Sequence, residues 1–250
     1  MEGSFDAAAE GCDTVIHTAS PYILDVKDPR KDLVDPAVKG TLNVLGASAK
    51  SPVVKRVVLT SSMAAITDEP ENDKVLTEAD WNTKSTLDVN PFFVFGPSTT
   101  AGLNTTNQIF ADMLKGAFPG ILNLSWGMVD VRDVAESHIR AMEVPGAHGR
   151  YICANDAVPM RTVVEWMTEF GYSKNYKLPT LGMDCAIGDY VVKFSSYMRP
   201  KGVGAYLETH IGKTPLYDTS KIRQELGVVF RPVKDSVRET LADLKKWGHI

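Results

Sequence analysis

The sequence predicts an α/β protein built on a parallel sheet, and three stretches carry that prediction. Val57-Val58-Leu59 ends abruptly in Thr60-Ser61-Ser62, Val15-Ile16 leads into His17-Thr18-Ala19-Ser20-Pro21, and Phe92-Phe93-Val94-Phe95 leads into Gly96-Pro97-Ser98. Apolar residues on successive positions fit strands buried on both faces, as in a parallel sheet. In open α/β sheets, ligands bind at the carboxyl ends of the strands. Three strands that each give way to small, polar or turn residues are expected to lie side by side, with their ends lining one crevice.

Phe5 to Gly11 reads as a short helical piece, and Gly11-Cys12-Asp13 as the turn before a first strand, Thr14 to Thr18. His17 reads as a strand-end histidine packed beside backbone rather than as a catalytic base. Tyr22 to Asp35 is a polar loop. Pro36 then starts a helix where its missing N–H costs nothing, and Val38, Leu42, Leu45 and Ala49 mark the face it buries. Ser51-Pro52 ends that helix and the central strand follows. This β-loop-α-β unit implies a parallel pair with a right-handed crossover. Residues 67–89 read as an acidic surface loop anchored by Trp81, and Asn90 to Pro97 as the third strand.

Thr99 to Gly116 is Thr/Asn-rich, then helical, with Ile109, Phe110, Met113 and Leu114 on one side. After a short extended piece, Asp130 to Arg132, the run Asp133-Val134-Ala135-Glu136 resembles a capping box and opens a helix burying Val134, Ile139 and Met142. Tyr151-Ile152-Cys153-Ala154 reads as a further strand. Thr162-Val163-Val164-Glu165 is a second capping box, and Gly171 closes its helix. Ser220 to Leu226 is a short helix ended by Gly227. Ser236-Val237-Arg238-Glu239 opens the last helix, with Val237, Leu241, Leu244 and Trp247 facing one way. The later half is expected to cover the sheet rather than extend it.

Composition bounds the function. At 250 residues, 44% hydrophobic and 23% charged, the chain has the length and apolar content for a sizeable core. A net charge of −4 without a basic cluster argues against a nucleic-acid partner. Cys12, Cys153 and Cys185 are few and widely spaced, so neither a disulfide framework nor a metal site is expected, and a cytoplasmic setting is. The acidic start, Met1 to Asp6, does not resemble a signal peptide, and no apolar run is long enough to span a membrane.

The runs HTASP, VKGTLNV, VVLTSS, NPFFVFGPS, VDVRDVAESHIRAM and HGRYICAN, in that order along essentially the whole chain, resemble the plant extended short-chain dehydrogenase/reductases. Within them the chain resembles the cinnamoyl-CoA reductase, dihydroflavonol 4-reductase and cinnamyl-alcohol-dehydrogenase-like group of the NAD-dependent epimerase/dehydratase superfamily. The resemblance implies a Rossmann-like sheet, with residues 1–155 as a dinucleotide-binding part and 156–250 mainly a smaller substrate-covering region interleaved with it. It implies NADP as cofactor and a small carbonyl or CoA-thioester substrate of phenylpropanoid or flavonoid type. It leaves the oligomeric state open. By the same resemblance Ser62, with Ser61 as the fallback, is the serine that hydrogen-bonds the substrate oxygen. Ala19, Ser20 and Pro21 would face the pyrophosphate and ribose, and Thr60 and Ser61 would run beneath the nicotinamide ribose. Pro91 and Val94 would pack on the nicotinamide, and Asn104, Thr105 and Thr106 would form a polar phosphate-side cluster.

Two departures from the family pattern stand out. The family's glycine-rich turn, GxxGxxG, has no counterpart here, so an N-terminally truncated sheet is expected; the lone Gly202-Val203-Gly204 follows no convincing strand. The family's Tyr-x-x-x-Lys helix should precede NPFFVFGP, yet Asp88-Val89 runs straight into Asn90-Pro91, and no tyrosine occurs between Tyr22 and Tyr151. Tyr197 and Lys201 have the right spacing, but Pro200 between them would break the shared helical turn. The expectation is a reductase of this family that is impaired or inactive as written. The alternative is a non-catalytic relative: an interaction or nucleotide-binding remnant, or the product of a defective gene model or splice.

Overall fold

Two strands and the helix between them form the first unit. β1 (Thr14–His17) lies parallel to β2 (Arg56–Leu59), with Val15 opposite Val57 and Ile16 opposite Val58. The computed structural model describes residues 3–21, 28–67, 69–83, 93–198 and 201–250, with the side chains of residues 201 and 202 left aside. A short helix α1 (Asp6–Ala9) precedes β1, and α2 (Asp35–Lys50) makes the crossover, entered through a single wide turn, Arg30–Val34. α2 is rotated from the expected orientation. Val44, Ala47 and Ser48 are buried, whereas Val38, Leu42 and Leu45 are 51%, 63% and 38% exposed. Ala47 and Ser48 face α1 and β1 across a small cavity that Phe5, Val15 and His17 also line, and Ser48 satisfies its own hydroxyl on Val44 O at 2.8 Å.

After β2 a one-turn helix, Met63–Ala65, and a two-residue strand β3 (Val75–Leu76) lie within the acidic segment read as loop. Trp81 is 63% exposed and is held by charge rather than burial: the Arg150 guanidinium lies 3.7 Å over its ring. β4 (Phe93–Phe95) is the third predicted strand; Phe92 and Pro91 fall outside the described residues. It does not extend the first pair. Among the described residues its ladder neighbour is β6 (Ser125–Asp130), which follows α3 (Thr105–Lys115) and β5 (Ile121–Leu122) and was not foreseen as a full strand. All six β6 residues are buried. β6 also pairs antiparallel with β7 (Asp156–Pro159). The strand expected at Tyr151 to Ala154 is extended chain outside any ladder, and Ile152 N donates instead to Glu78 Oε1 at 3.0 Å.

Between β6 and β7 runs α4 (Val131–Glu143), which packs on β2, β4 and β6. Its N-cap is Asp130, whose carboxylate accepts Arg132 N at 2.8 Å, so the helix starts before the Asp133 box. Ile139 is 42% exposed, against expectation, while Asp133 and Ser137 are buried. The next helix, α5 (Met160–Glu169), starts after Pro159, two residues before the expected box; Gly171 at φ +87 lies just beyond its end. Then come β8 (Gly182–Met183), paired with β5, α6 (Ala186–Ser196), α7 (Lys201–His210) and β9 (Leu216–Tyr217), paired with β3. Last are α8 (Ser220–Leu226), closed by Gly227 as expected, and α9 (Val233–Lys246), which begins after Pro232 and buries Val237, Leu241 and Leu244. The main core gathers Phe93, Phe95, Phe110, Trp126, Met128 and Leu241, with Phe93 stacked on Trp126 at 5.1 Å. No helix among the described residues is long and apolar enough to cross a membrane.

The C-terminal cover is tied to α4 by two buried carboxylates. Asp130, 2% exposed, binds Arg132 through both oxygens, and Arg132 Nη1 reaches Glu239 of α9 at 2.6 Å. Burial pushes the Asp130 carboxyl up, but the hydrogen bonds from Arg132 outweigh it and leave the group below the ordinary carboxylate value. Asp133, 1% exposed, accepts Arg231 N at 2.8 Å and pairs with the Arg231 guanidinium. Breaking such a pair leaves its partners unsatisfied. Asp133→Ala should cost about 3 kcal/mol in urea unfolding, more than Glu136→Ala on the exposed face of the same helix, which should stay within about 0.5 kcal/mol.

Candidate functional site

The carboxyl ends of β1 and β2 are stitched together: Thr60 N donates to His17 O at 2.9 Å, directly beyond the His17–Leu59 pair. Ala19 and Ser20 follow β1 as exposed residues, and Pro21 is half-buried beside them. Thr60, half-buried, and Ser61, exposed, follow β2. The structure therefore brings together five of the residues assigned to the crevice. Ser62 ends the run at the N-cap of the Met63–Ala65 turn, and its Oγ accepts Ala64 N at 3.2 Å. That bond fixes the serine at the mouth, with Met63 and Ala64 buried behind it.

α4 acts as a ruler that orients β4 to the same side. Its N-terminus springs from the carboxyl end of β6, where Phe95 of β4 faces Asp130. Midway along, His138 Nε2 meets Thr60 Oγ1 at 2.6 Å at the carboxyl end of β2. At its C-terminus the carbonyls of Ala141, Met142 and Val144 accept from Arg56 Nη1, at the amino end of β2. Thus β2, β4 and β6 all run antiparallel to α4, and their carboxyl ends share one side although β4 and β2 share no ladder among the described residues. Sequence reasoning did not anticipate His138. Its Nδ1 lies 2.7 Å from Val134 O, which can only accept, so in the neutral ring Nε2 is the acceptor and Thr60 donates its hydroxyl.

The remaining assignments are dispersed. Val94 packs into a cluster on Val129, Ile222 and Leu226. Asn104 caps α3, its Oδ1 accepting Asn107 N at 2.7 Å, and Thr105 and Thr106 form the first turn. Pro91 is outside the described residues. Gly96, at φ +148, closes β4; a Cβ there would stand 2.8 Å from Val131 Cγ1. Asn107, 3% exposed, donates Nδ2 to Gly96 O at 2.9 Å, and its Oδ1 has no partner among the described residues. Tyr197 is the C-cap of α6, 79% exposed, and Lys201 begins α7, so that spacing match does not share one helix.

The covering region brings its own titratable groups to the turn that follows Ser62. Tyr217 packs on the cluster of Met63, Ile66 and Leu76, and burial drives its phenol far up, with Tyr206 as a lesser cause. His210 stacks on Tyr206 at 4.1 Å between ring centroids.

Comparison with known proteins gives this arrangement its context. The chain is 34% identical to a cinnamoyl-CoA reductase of Medicago truncatula, over 98% of its own length and 77% of the relative's. It belongs to the cinnamoyl-CoA reductase-like family of short-chain dehydrogenase/reductases. A second member, cinnamoyl-CoA reductase 2 of Arabidopsis thaliana, is 32% identical over 98% of this chain and 74% of the relative. Residues 2–91 also match the model of the 3-beta hydroxysteroid dehydrogenase/isomerase family. Among solved structures, yeast methylglyoxal/isovaleraldehyde reductase Gre2 complexed with NADPH superposes with a TM-score of 0.71 at 25% identity, covering 99% of this chain and 82% of that one. The Rossmann-like reductase fold and the family expected from the sequence both hold.

His210 gives the covering region a pH dependence. Desolvation lowers its pKa from 6.5 to about 4. Between those values the unfolded chain binds a proton that the folded chain refuses, so stability is complete above the unfolded pKa and falls as pH drops toward 4. The loss should reach roughly 3 kcal/mol. His210→Gln should flatten that part of the profile in thermal melts taken from neutral to acid pH.

Proposed function

We propose that this chain is an NADP-dependent carbonyl or CoA-thioester reductase of the phenylpropanoid type whose Ser62 turn is intact but whose proton donor is missing, so that turnover as written is slight or absent. The observation that carries this reading is the pairing of an ordered Ser62 turn with a sequence holding no tyrosine between Tyr22 and Tyr151.

The crevice chemistry fits the nicotinamide half of the dinucleotide. Ala19, Ser20 and Ser61 offer small exposed side chains at strand ends, where a sugar-phosphate chain can approach the backbone. Asn107 Oδ1 has no partner among the described residues, and a carboxamide N–H is one donor it could accept from. On this reading Ala19, Ser20 and Pro21 hold the pyrophosphate side, Thr60 and Ser61 the ribose, and Pro91 and Val94 the nicotinamide. Asn104, Thr105 and Thr106 have the weakest support, because Asn104 already caps α3. When bound, the cofactor supplies hydride.

The chain's own residues do the rest, and one task goes unfilled. Ser62 Oγ, which accepts Ala64 N, is on this reading the hydroxyl that orients a carbonyl oxygen. Thr60 is ill placed to serve as the acid, because its hydroxyl is engaged by His138 Nε2 at 2.6 Å. Tyr217, the tyrosine packed on the turn that follows Ser62, holds its proton more tightly than a free phenol, the opposite of the lysine-tuned tyrosine the family uses. General acid help is worth about 10²–10⁴-fold in rate, so its loss alone accounts for a deep deficit.

The full chain, supplied with NADPH and cinnamoyl-CoA, cinnamaldehyde or a dihydroflavonol, should turn over at least about 10²-fold more slowly than a relative with the tyrosine–lysine pair. A Tyr-x-x-x-Lys helix inserted between Val89 and Asn90, in a chain that also carries the family's glycine-rich unit, should restore activity. Ser62→Ala in that restored protein should remove most of it again. Substantial turnover by the chain as written would overturn the reading; if Tyr217→Phe then abolished it, Tyr217 would be the donor.

A further inference from the structure

α6 packs its small side inward and its large side outward. Gly188, Val192 and Ser196 are buried. A Cβ on Gly188 would stand 2.0 Å from Met183 O, and one on Gly204 of α7 would stand 2.6 Å from Ser196 O, so backbone meets backbone on this face. The opposite face carries Ile187, Tyr190, Phe194, Tyr197 and Met198, 78%, 73%, 69%, 79% and 85% exposed, with Val191 at 47%. Tyr197 and Met198 belong to the same face because Tyr197, at φ −61 and ψ −20, continues the helical turn.

The spacing of these six residues is that of two heptads. Ile187 and Phe194 take equivalent positions, as do Tyr190 and Tyr197, and Val191 and Met198. Apolar residues in this register form the stripe of a helix that seats on another helix. Charge does not interrupt it. Asp189 is turned inward, its Oδ2 accepting Asn123 Nδ2 at 2.9 Å, and Lys193 falls on the flank, where a long side chain can lie along an apolar interface with its ammonium in water.

The area decides what such a face is for. At these exposures the six side chains offer on the order of 900 Å². The largest apolar patch of an ordinary monomer is about 300–600 Å², whereas a stable interface takes about 800 Å² from each partner. Tyrosine, phenylalanine and methionine are the residues enriched at protein interfaces. A helix lying on an anionic membrane would carry several basic residues along its polar side, and between Ala186 and Met198 there is one, Lys193.

We propose that this face of α6 is a self-association surface, packing against the same face of a second copy of the chain about a two-fold axis. A single patch that is complementary to itself meets its copy in this isologous way. The interface is independent of the reductase reading, since it rests on no crevice residue.

Sedimentation equilibrium of the full chain, over a wide concentration range, tests it. The expected result is a dimer that dissociates on dilution. Phe194→Glu and, separately, Tyr190→Lys should each weaken it by at least about 30-fold. Both residues are exposed, so each variant should keep the far-ultraviolet spectrum and cooperative melt of the folded chain. Leu42→Glu, on the exposed face of α2, should leave the dimer unchanged. A wild-type chain that stays monomeric at every concentration overturns the proposal, as does a dimer that survives both α6 substitutions or is lost equally to Leu42→Glu. A monomer that cosediments with phosphatidylserine vesicles, and stops doing so as Phe194→Glu, would assign the face to lipid and equally overturn it.

Discussion

Arg56 fixes how the two parts of this molecule meet. It stands at the amino end of β2, and its guanidinium gathers the carbonyls of Ala141, Met142, Val144 and Pro145 as α4 ends. The last carbonyls of a helix lack partners within it and carry partial negative charge, so a cation there is favoured twice over. Each such charged hydrogen bond is worth about 1.5–3 kcal/mol, against about 1 for a neutral one. With α4 held at this end by Arg56 and at its middle by Thr60, the β1–β2 pair cannot slide along the helix. The direction of β4 and β6 then follows, because α4 is continuous with β6. Without the clamp, the crevice would have no fixed far wall, since β2 and β4 share no ladder among the described residues.

What the sequence revealed and what it concealed divide along physical lines. Apolar runs that end in small residues were enough to place β1, β2 and β4, but the expected burial on both faces holds for β4 alone: Ile16 and Leu59 are 42% and 45% exposed. β6 escaped because Ser125 and Gly127 interrupt its apolar character, although both are buried. Helix starts were misplaced by a few residues because the boxes that resemble caps lie inside the helices: Asp130 caps α4 with its side chain, while Pro159 and Pro232 cap α5 and α9 with no side-chain hydrogen bond. The rotation of α2 was hidden for another reason. Counting large apolar residues points to Val38 and Leu42, but the face turned to α1 and β1 is the one carrying Val44, Ala47 and Ser48.

The same distinction runs through the site. Ser62 could be found because its turn is local: a serine, a strand end before it and small residues after it. His138 could not, being 78 residues from Thr60 and carrying no motif of its own. Nor could Tyr217, which reaches the turn after Ser62 only because β9 pairs with β3. Those two residues now define the limits of the chemistry. His138 engages the hydroxyl that Thr60 could otherwise offer. Tyr217 is buried, and that burial makes it hold its proton more tightly, so proximity to the serine turn does not make it an acid.

The composition of α6 points outward on energetic grounds. Glycine in a helix costs about 1 kcal/mol relative to alanine, and α6 and α7 carry Gly188 and Gly204 where their backbones touch neighbouring chain. The inner face recovers little of that cost, since Val192 is the one large apolar side chain it buries. Close packing on the inside nevertheless frees every bulky residue of the helix but Val192 for the outside. A surface meant only to be solvated would carry lysine and glutamate at Ile187, Tyr190 and Phe194, at no loss to the inner contact. Aromatic and aliphatic residues in heptad register at those positions are explained by what they would bury against, a second helix with the same stripe.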